Sequence, residues 1–349
     1  MKKKYLSYAL EMLEKLVNTP SPSGFPHLAA GLLMEELTAL GYRPVRTNKG
    51  GVRVELGGPE GEALLMCSHV DTLGGIVAEV KEDGRLKLSP VGLLSPNNAE
   101  AENIQIHTRD GRVYEGTFQL VDPSWHVNPK YEATARTFDV MEAVVDERTD
   151  SAAATRALGI EVGDFVSFEP RFRITDSGYI KSRHLDDKLS ASILLAYARY
   201  LKEENIRPGR KVYLHFTVYE EIGHGASAYC PKDVTDVLAV DMGCVGKGIS
   251  CTEHTVSICA KDSRGPSSYE MVTGLVAAAK KNGVAYAIDV YPFYGSDADA
   301  VLSAGFDVRH AVIGAGVAAS HGYERSHTDG LAATFDLIAA YVGGEPEEA

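Results

Sequence analysis

The spacing of apolar residues indicates two helices and two strands near the start of the chain. Residues 4–17 and 27–40 repeat apolar side chains every three or four positions, which predicts amphipathic helices. Residues 52–56 alternate in polarity, as in a strand with one exposed face. The continuous apolar run at 63–67 is typical of a strand buried on both faces. These elements predict helices packed on a sheet.

A different pattern begins after about Gly75. From there to about Thr175 the apolar runs are short, alternate with polar residues and are separated by turns, which predicts strands. Asp110-Gly111 lies between two alternating stretches, as expected for a hairpin turn. One short helix is predicted near 151–158. We therefore expect a β-rich domain at residues 76–176.

Helix and strand patterns alternate again from about Lys188 onward. Such alternation predicts a mostly parallel sheet covered on both faces by helices. Helix and strand patterns of this kind precede and follow the β-rich segment. We therefore expect one discontinuous α/β domain, residues 1–75 and 177–349, with the β-rich domain inserted into it. In its second part the predicted helices are 188–203, 267–281 and 329–342, and the predicted strands are 211–219, 237–240, 286–290 and 308–313.

Composition narrows the class of protein. The 349 residues are 44% hydrophobic and 24% charged, values that exclude extensive disorder. The net charge of −13 argues against nucleic acid or an anionic membrane as the main partner. The sequence has no apolar run long enough to span a membrane and no pattern of a secretory signal. Five cysteines without a C-x-x-C pair fit reduced thiols, so we expect a cytoplasmic protein.

Histidines and acidic residues follow several predicted strands or begin predicted helices. Ligands of an open α/β sheet bind at the carboxyl ends of its strands, so these positions are candidates for a functional site. Each motif also has an ordinary structural explanation, as a loop pair, a helix cap or solvated surface acids. The candidates are Ser68-His69-Val70-Asp71, Leu185-Asp186-Asp187-Lys188, Tyr219-Glu220-Glu221, Val240-Asp241-Met242 and Ser326-His327-Thr328-Asp329.

Together the candidate side chains have the chemistry of metal ligands. Three carboxylates and one bridging hydroxide carry four negative charges, which two divalent ions balance; without metal the carboxylates would repel one another. The sequence has no G-x-S-x-G, H-E-x-x-H or P-loop motif that would favour a different chemistry. The nitrogen and oxygen ligands suited to zinc, cobalt or manganese are His69, Asp186, Glu221, Asp241 and His327.

The ordered series of motifs resembles metallopeptidase family 42, the glutamyl, deblocking or tetrahedral aminopeptidases. The resemblance covers nearly the whole chain, with Lys188 and Ser296 where the family often has Arg and Thr. The segment from Cys251 to Ser267 departs more from the family pattern. Besides the candidates above, the matching motifs are Thr19-Pro-Ser-Pro-Ser-Gly24, Gly295-Ser-Asp297-Ala and the segment from Arg156 to Asp164.

The resemblance implies a fold and an activity. The larger domain is expected to be a phosphorylase/hydrolase-like α/β catalytic domain, and the insertion a β-rich assembly domain that is PDZ-like or a β-barrel. The activity implied is that of an aminopeptidase acting on short peptides with two divalent ions per chain, zinc or cobalt, with manganese as an alternative. The assembly implied is a homo-oligomer between a dimer and a dodecamer.

Residue roles follow from the same resemblance. Asp186 is implied to bridge the two ions. Glu221 and His327 are implied to complete one metal site, and His69 and Asp241 the other. Glu220 is the implied general base, and Asp71 is implied to hold the imidazole of His69.

Other functions stay open at the level of the sequence. Another metal-dependent amidohydrolase of related fold would use the same ligands. An endoglucanase would use two carboxylates and an oxocarbenium-like transition state, without needing the histidines. A binding protein that has kept the fold would be expected to have lost at least one of the proposed ligands.

Overall fold

The computed structural model describes residues 1–346. Within that range the helices lie near the predicted positions at both ends of the chain, and the middle is dominated by strands. The helices are α1 (Lys3–Val17), α2 (His27–Ala39), α3 (Pro96–Ala99), α4 (Ala152–Ala157), α5 (Leu185–Glu203), α6 (Tyr269–Asn282), α7 (Asp297–Ser303) and α8 (Thr328–Val342).

The strands up to residue 182 are β1 (Val45–Arg46), β2 (Val52–Gly57), β3 (Ala63–His69), β4 (Gly74–Val80), β5 (Leu86–Val91), β6 (Glu102–His107), β7 (Val113–Leu120), β8 (Met141–Val145), β9 (Phe165–Phe168), β10 (Arg173–Ile174) and β11 (Tyr179–Ser182). The remaining strands are β12 (Ile206–Pro208), β13 (Val212–Thr217), β14 (Val234–Val245), β15 (Val256–Lys261), β16 (Tyr286–Val290), β17 (Arg309–Ala318), β18 (Glu324–His327) and β19 (Gly344–Pro346).

Most predicted elements are confirmed, and the differences concern length and short elements. The predicted strands at 237–240 and 308–313 extend to twelve and ten residues, as β14 and β17. Strands β15 and β18 and helix α7 are among the elements that were not predicted. Helix α7 has only seven residues, but Ser296 and Asp299 form a capping box at its start, which is a readable signal.

The described chain divides into two compact units, one formed by Met1–Asp71 with the residues from Arg171 onward, and one formed by Thr72–Pro170. The first unit contains an eleven-stranded sheet in the order β1-β2-β13-β3-β14-β17-β18-β11-β10, with β15 paired to β17 and β16 paired to β15. The pairs β13–β3, β3–β14 and β14–β17 are parallel, as are β15 and β16, whereas the remaining pairs are antiparallel. The expected α/β class is confirmed, with a mixed sheet that is parallel at its centre.

The core of the first unit explains why β3 reads as a continuous apolar run. All seven of its residues are buried, because the sheet is covered on both faces. Aromatic rings tie the helices on one face together: Tyr5 of α1 stacks on Phe335 of α8, and Tyr197 of α5 meets Phe335 edge-on. This packing holds rigid the strands whose ends carry the candidate site.

The second unit is a closed barrel of six strands in the order β4-β5-β8-β7-β6-β9. Alternate residues point inward, as in Ile104 and Ile106 of β6, and they surround the buried ring of Phe118. The expected β-rich, barrel-like insertion is confirmed as a fold. No helix among residues 1–346 is long and apolar enough to cross a membrane, and the five cysteines are free thiols.

Candidate active site

Three parallel strands deliver the candidate residues to one edge of the sheet. Thr217, the last residue of β13, lies opposite His69, the last residue of β3. On the other side of β3, Ala239 of β14 lies opposite Cys67, which places Asp241 two residues further along at the same edge. The turn that follows β13 begins with Glu220. Parallel pairing therefore gathers residues that are about 150 positions apart in sequence.

His69 is buried and faces two carboxylates. Its Nδ1 lies 3.0 Å from the backbone oxygen of Asp71; that oxygen only accepts, so Nδ1 carries the hydrogen. The lone pair of Nε2 then points to the Oδ1 of Asp186 at 2.9 Å and the Oε2 of Glu220 at 3.6 Å. Burial lowers the pKa of His69, but the hydrogen bonds to Asp186 and Asp71 outweigh it and raise this pKa well above its usual value. A positive charge between the ring and the carboxylates is therefore favoured.

Asp186 and Asp187, at the start of α5, make different contacts. The Oδ2 of Asp187 accepts hydrogen bonds from Ser68 Oγ at 2.7 Å and from the backbone N–H of His69 at 3.2 Å, which holds the end of β3. The Oδ1 of Asp187 is buried and has no hydrogen-bond partner among the described residues. Asp186 instead offers its Oδ1 to His69 and its Oδ2 to His321, 3.6 Å away. Asp186 thus lies between two imidazoles.

Asp71 connects His69 to the turn that carries the paired glutamates. Its Oδ1 accepts the backbone N–H of Glu220 at 3.2 Å and lies 3.6 Å from His69 Nδ1. Its Oδ2 accepts a short hydrogen bond from the hydroxyl of Ser23. The carboxylate predicted to hold His69 therefore also holds the backbone of Glu220 in place.

Asp241 is buried, the side chains of the paired glutamates are largely buried, and the pKa values of all three acids are raised. Burial is the main cause for Glu220 and for Glu221, and nearby carboxylates add to it. Burial, followed by the charge of Asp186, raises the pKa of Asp241 to about 7. A bound cation would stabilise such a concentration of acids. Two groups have potential ligand atoms within 4.8 Å of one another: His69–Asp186–Glu221 and His69–Asp187–Asp241.

The second imidazole at these carboxylates belongs to His321, whereas the sequence led us to expect His327 at this position. His321 Nε2 lies 3.6 Å from both Asp186 Oδ2 and Glu221 Oε2. Its backbone N–H donates to Glu324 Oε1 at 3.0 Å, and Glu324 Oε2 accepts the backbone N–H of Asp186 at 3.1 Å. Glu324 thereby couples the turn that holds His321 to the start of α5.

His327, the residue expected there, lies at the opposite end of β18. Antiparallel pairing places Glu324 opposite Ser182 and His327 opposite Tyr179. Three residues along a strand span roughly 10 Å. His327 instead caps α8: its Nδ1 accepts the backbone N–H of Asp329 at 3.0 Å.

Asp297 holds the loop that carries the paired glutamates, without lying among the candidate ligands. Its Oδ1 accepts the backbone N–H of Ala226 at 2.7 Å, and its Oδ2 accepts a short hydrogen bond from Thr217. Gly225 must be a glycine, because a Cβ there would overlap the Asp297 carboxylate. Lys49 Nζ donates to the backbone oxygen of Gly225 at 2.6 Å. The loop between Thr217 and Ala226, which carries the paired glutamates, is thus fixed at both ends.

These donors fit divalent cations. The set combines imidazole nitrogen with carboxylate oxygen, as zinc, cobalt and manganese sites do, and the partnerless Oδ1 of Asp187 points to a positive neighbour that the protein itself does not supply. A buried centre of this kind at the strand ends of an α/β sheet is typical of metal-dependent hydrolases.

Comparison with known proteins identifies the family. Residues 50–337 match the family described as M42 glutamyl aminopeptidase, and the chain belongs to this family. The protein YhfE of Bacillus subtilis (strain 168) is 40% identical over 334 residues, covering 95% of this chain and 96% of that protein. Because it belongs to this family, the chain is a peptide hydrolase of the aminopeptidase class. The M42 family is metal-dependent.

Two similar solved structures share the fold of this chain. The TET1 peptidase of Pyrococcus horikoshii, which assembles into a tetrahedron or a large octahedral shell, has a TM-score of 0.83 at 22% identity, covering 96% of this chain and 99% of that one. A structure from Thermotoga maritima named as an endoglucanase has a TM-score of 0.74 at 19% identity, covering 95% and 96%. At these identities the likeness shows the shared fold.

Proposed function

We propose that this aminopeptidase uses two divalent metal ions per chain to remove N-terminal residues from short peptides. The observation that carries the proposal is the position of Asp186, whose two oxygens face two different imidazoles, His69 and His321. A carboxylate that faces two nitrogen ligands on opposite sides is suited to bridging two ions.

The proposed ligands divide around Asp186. His69 and Asp241 would hold one ion, and Glu221 and His321 would hold the other, with His321 in the role that the sequence resemblance implied for His327. Zinc or cobalt is the proposed metal, and manganese also suits these donors. A bound pair of ions supplies a Lewis acid and a water whose pKa is lowered to roughly 7.

Glu220 is the proposed general base. Its Oε2 lies 3.6 Å from His69 Nε2, so it faces the space between the proposed ligands, and the Asp71 carboxylate holds its backbone. Glu220 takes a proton from the attacking water and returns it to the amine of the departing peptide. Proton transfer by a positioned side chain is typically worth about 10²–10⁴ in rate.

The inserted domain, expected at residues 76–176, is proposed to serve assembly, with residues 1–75 and 177–349 as the catalytic domain. Support comes from the similarity to the TET1 peptidase, whose copies build closed shells. A homo-oligomer between a dimer and a dodecamer is proposed on this basis, and a cytoplasmic location stays a prediction. Light scattering on the purified protein tests the assembly, and a monomer at micromolar concentration would contradict it.

The activity is tested with a panel of aminoacyl-nitroanilides, assayed after chelation and after refilling with zinc, cobalt or manganese. Each substrate is paired with its N-acetylated form, because an aminopeptidase needs the free α-amine. We expect hydrolysis of the free substrates only, lost on chelation and restored by metal.

The second candidate activity is that of an endoglucanase, which rests on the name of the similar Thermotoga maritima structure. A soluble cellulose derivative assayed under the same conditions separates the two. Chelator-insensitive release of sugar, without cleavage of any aminoacyl-nitroanilide, would replace the proposal. Chelator-sensitive cleavage of the acetylated forms would instead indicate another amidohydrolase.

A further inference from the structure

A second cluster of imidazole and carboxylate groups lies at the start of α8, and the proposed catalysis does not use it. It consists of His254, His327 and Asp329, and it is called here the α8 cluster. His254 Nδ1 lies 3.1 Å from Asp329 Oδ2, and His327 Nδ1 lies 3.2 Å from the same oxygen. The two imidazole rings are 4.3 Å apart between centroids. One carboxylate oxygen is therefore approached by two ring nitrogens.

The hydrogen bonds of His327 determine which of its nitrogens has a free lone pair. Its Nε2 lies 2.7 Å from the backbone oxygen of Ser177, which can only accept, so Nε2 carries the hydrogen. Gly178, at a φ of +89°, allows this approach, because a Cβ there would lie 2.8 Å from Nε2. In the neutral ring the lone pair is then on Nδ1, beside the Asp329 carboxylate. A carbonyl holding the far nitrogen is the usual support of a metal-binding histidine.

A lone pair beside a carboxylate oxygen at 3.2 Å is repulsive unless a positive charge lies between them. The backbone N–H of Asp329, 3.0 Å from the same Nδ1, supplies only a partial charge. The Nε2 of His254 lies 3.4 Å from the hydroxyl of Tyr179, which can donate or accept, so this contact is compatible with either tautomer of His254. In both tautomers the Nδ1 of His254 faces Asp329 Oδ2, at 3.1 Å. The three groups thus present two nitrogens and one oxygen to a common point.

The spacing of these atoms fits a small cation. Ligands at about 2.0–2.1 Å from a tetrahedral zinc ion lie about 3.3 Å from one another, close to the 3.1 and 3.2 Å in the α8 cluster. His254 is 43% exposed and Asp329 64% exposed, so solvent reaches the cluster and supplies the remaining ligand. We propose that the α8 cluster binds one divalent transition-metal ion, in addition to the ions proposed for catalysis.

The proposal is tested by counting ions. The full-length protein is first filled with zinc and desalted, and further zinc is then added in equilibrium dialysis followed by elemental analysis. Wild-type protein is expected to bind one more ion per chain than His254→Ala or Asp329→Asn at the same free zinc concentration. His126→Ala, which removes an exposed histidine of the other unit, is expected to keep the wild-type count.

A second measurement does not depend on the folding of any variant. Zinc-soaked crystals of the wild-type protein are expected to give an anomalous peak bounded by His254, His327 and Asp329. Equal ion counts in wild type and both variants, with no peak at the cluster, would mean that these groups form a hydrogen-bonded cap only. That result overturns the proposal and leaves the catalytic site unaffected.

Discussion

The carboxylate of Asp297 accepts the backbone N–H of Ala226 at 2.7 Å, across the loop that carries Glu220 and Glu221. The other Asp297 oxygen accepts from Thr217, so one side chain closes the loop from both ends. Asp297 has no proposed contact with metal or substrate and is a positioning residue.

We expect Asp297→Asn to weaken metal binding or kcat about 10–100-fold. An amide has only one oxygen that can accept, so the hydrogen bond from Ala226 or the one from Thr217 is lost or reversed. Metal titration and the separate determination of kcat and KM measure this effect. Asp299→Asn is the matched control, since Asp299 caps α7 at Ser296 and does not contact the loop. Equal losses in the two variants would indicate general destabilisation instead of positioning.

Exchange of the paired acids for amides separates proton transfer from metal binding. Glu220→Gln keeps the size of the side chain but cannot accept a proton, so we expect near-normal metal content and a fall in kcat on the order of 10²–10⁴. Glu221→Gln is expected to weaken one metal site, with partial rescue by excess metal. Elemental analysis and rates at saturating substrate compare the two, and the opposite pattern would reverse the assignment.

The two histidines near the C-terminal end are distinguished by the same kind of comparison. His321→Ala is expected to lose one of the tightly held ions and most activity, because its Nε2 faces Asp186 and Glu221. His327→Ala is expected to keep kcat in excess zinc and to lose about 0.5–2 kcal/mol of unfolding free energy with the helix cap. Loss of activity in His327→Ala alone would restore the assignment made from the sequence.

Two buried tyrosines differ in whether their hydroxyl groups are satisfied. Among the described residues the hydroxyl of Tyr197 has no hydrogen-bond partner, whereas that of Tyr42 donates to the backbone oxygen of Ala198 at 2.9 Å. We expect Tyr197→Phe to leave the free energy of unfolding unchanged or to raise it, and Tyr42→Phe to lower it by about 0.5–1.5 kcal/mol. Urea unfolding of both variants measures the difference.

The positions of His69 and Asp241 at one edge of the sheet were predictable because each follows an apolar run, and strand ends in α/β sheets carry ligands. His69 is the last residue of β3, whereas β14 continues past Asp241 to Val245. The position of His321 beside Asp186 and Glu221 was not predictable, because the short turn between β17 and β18 decides which histidine lies there. Ser326-His327-Thr328-Asp329 has the polar pattern of a helix start, and it begins α8 in the structure. Local sequence there predicts a cap as well as it predicts a ligand.

The direction of strands was predictable only at the centre of the sheet. Parallel pairing of β3, β13 and β14 follows from the alternation of helix and strand. The antiparallel pairing of β15 with β17 depends on which edge of the sheet receives β15, and no local pattern contains that information.

Closure of the barrel determines how copies of the chain can meet. Each of the six barrel strands already pairs with two neighbours, so a strand of another molecule cannot add to the barrel. A partner can therefore contact the barrel only through side chains and loops. The open sheet differs, because β16 pairs only with β15 and exposes Ile288 and Val290. Within residues 1–346, backbone-to-backbone joining of two molecules, whether in an ordered assembly or in aggregation, is therefore confined to strands outside the barrel.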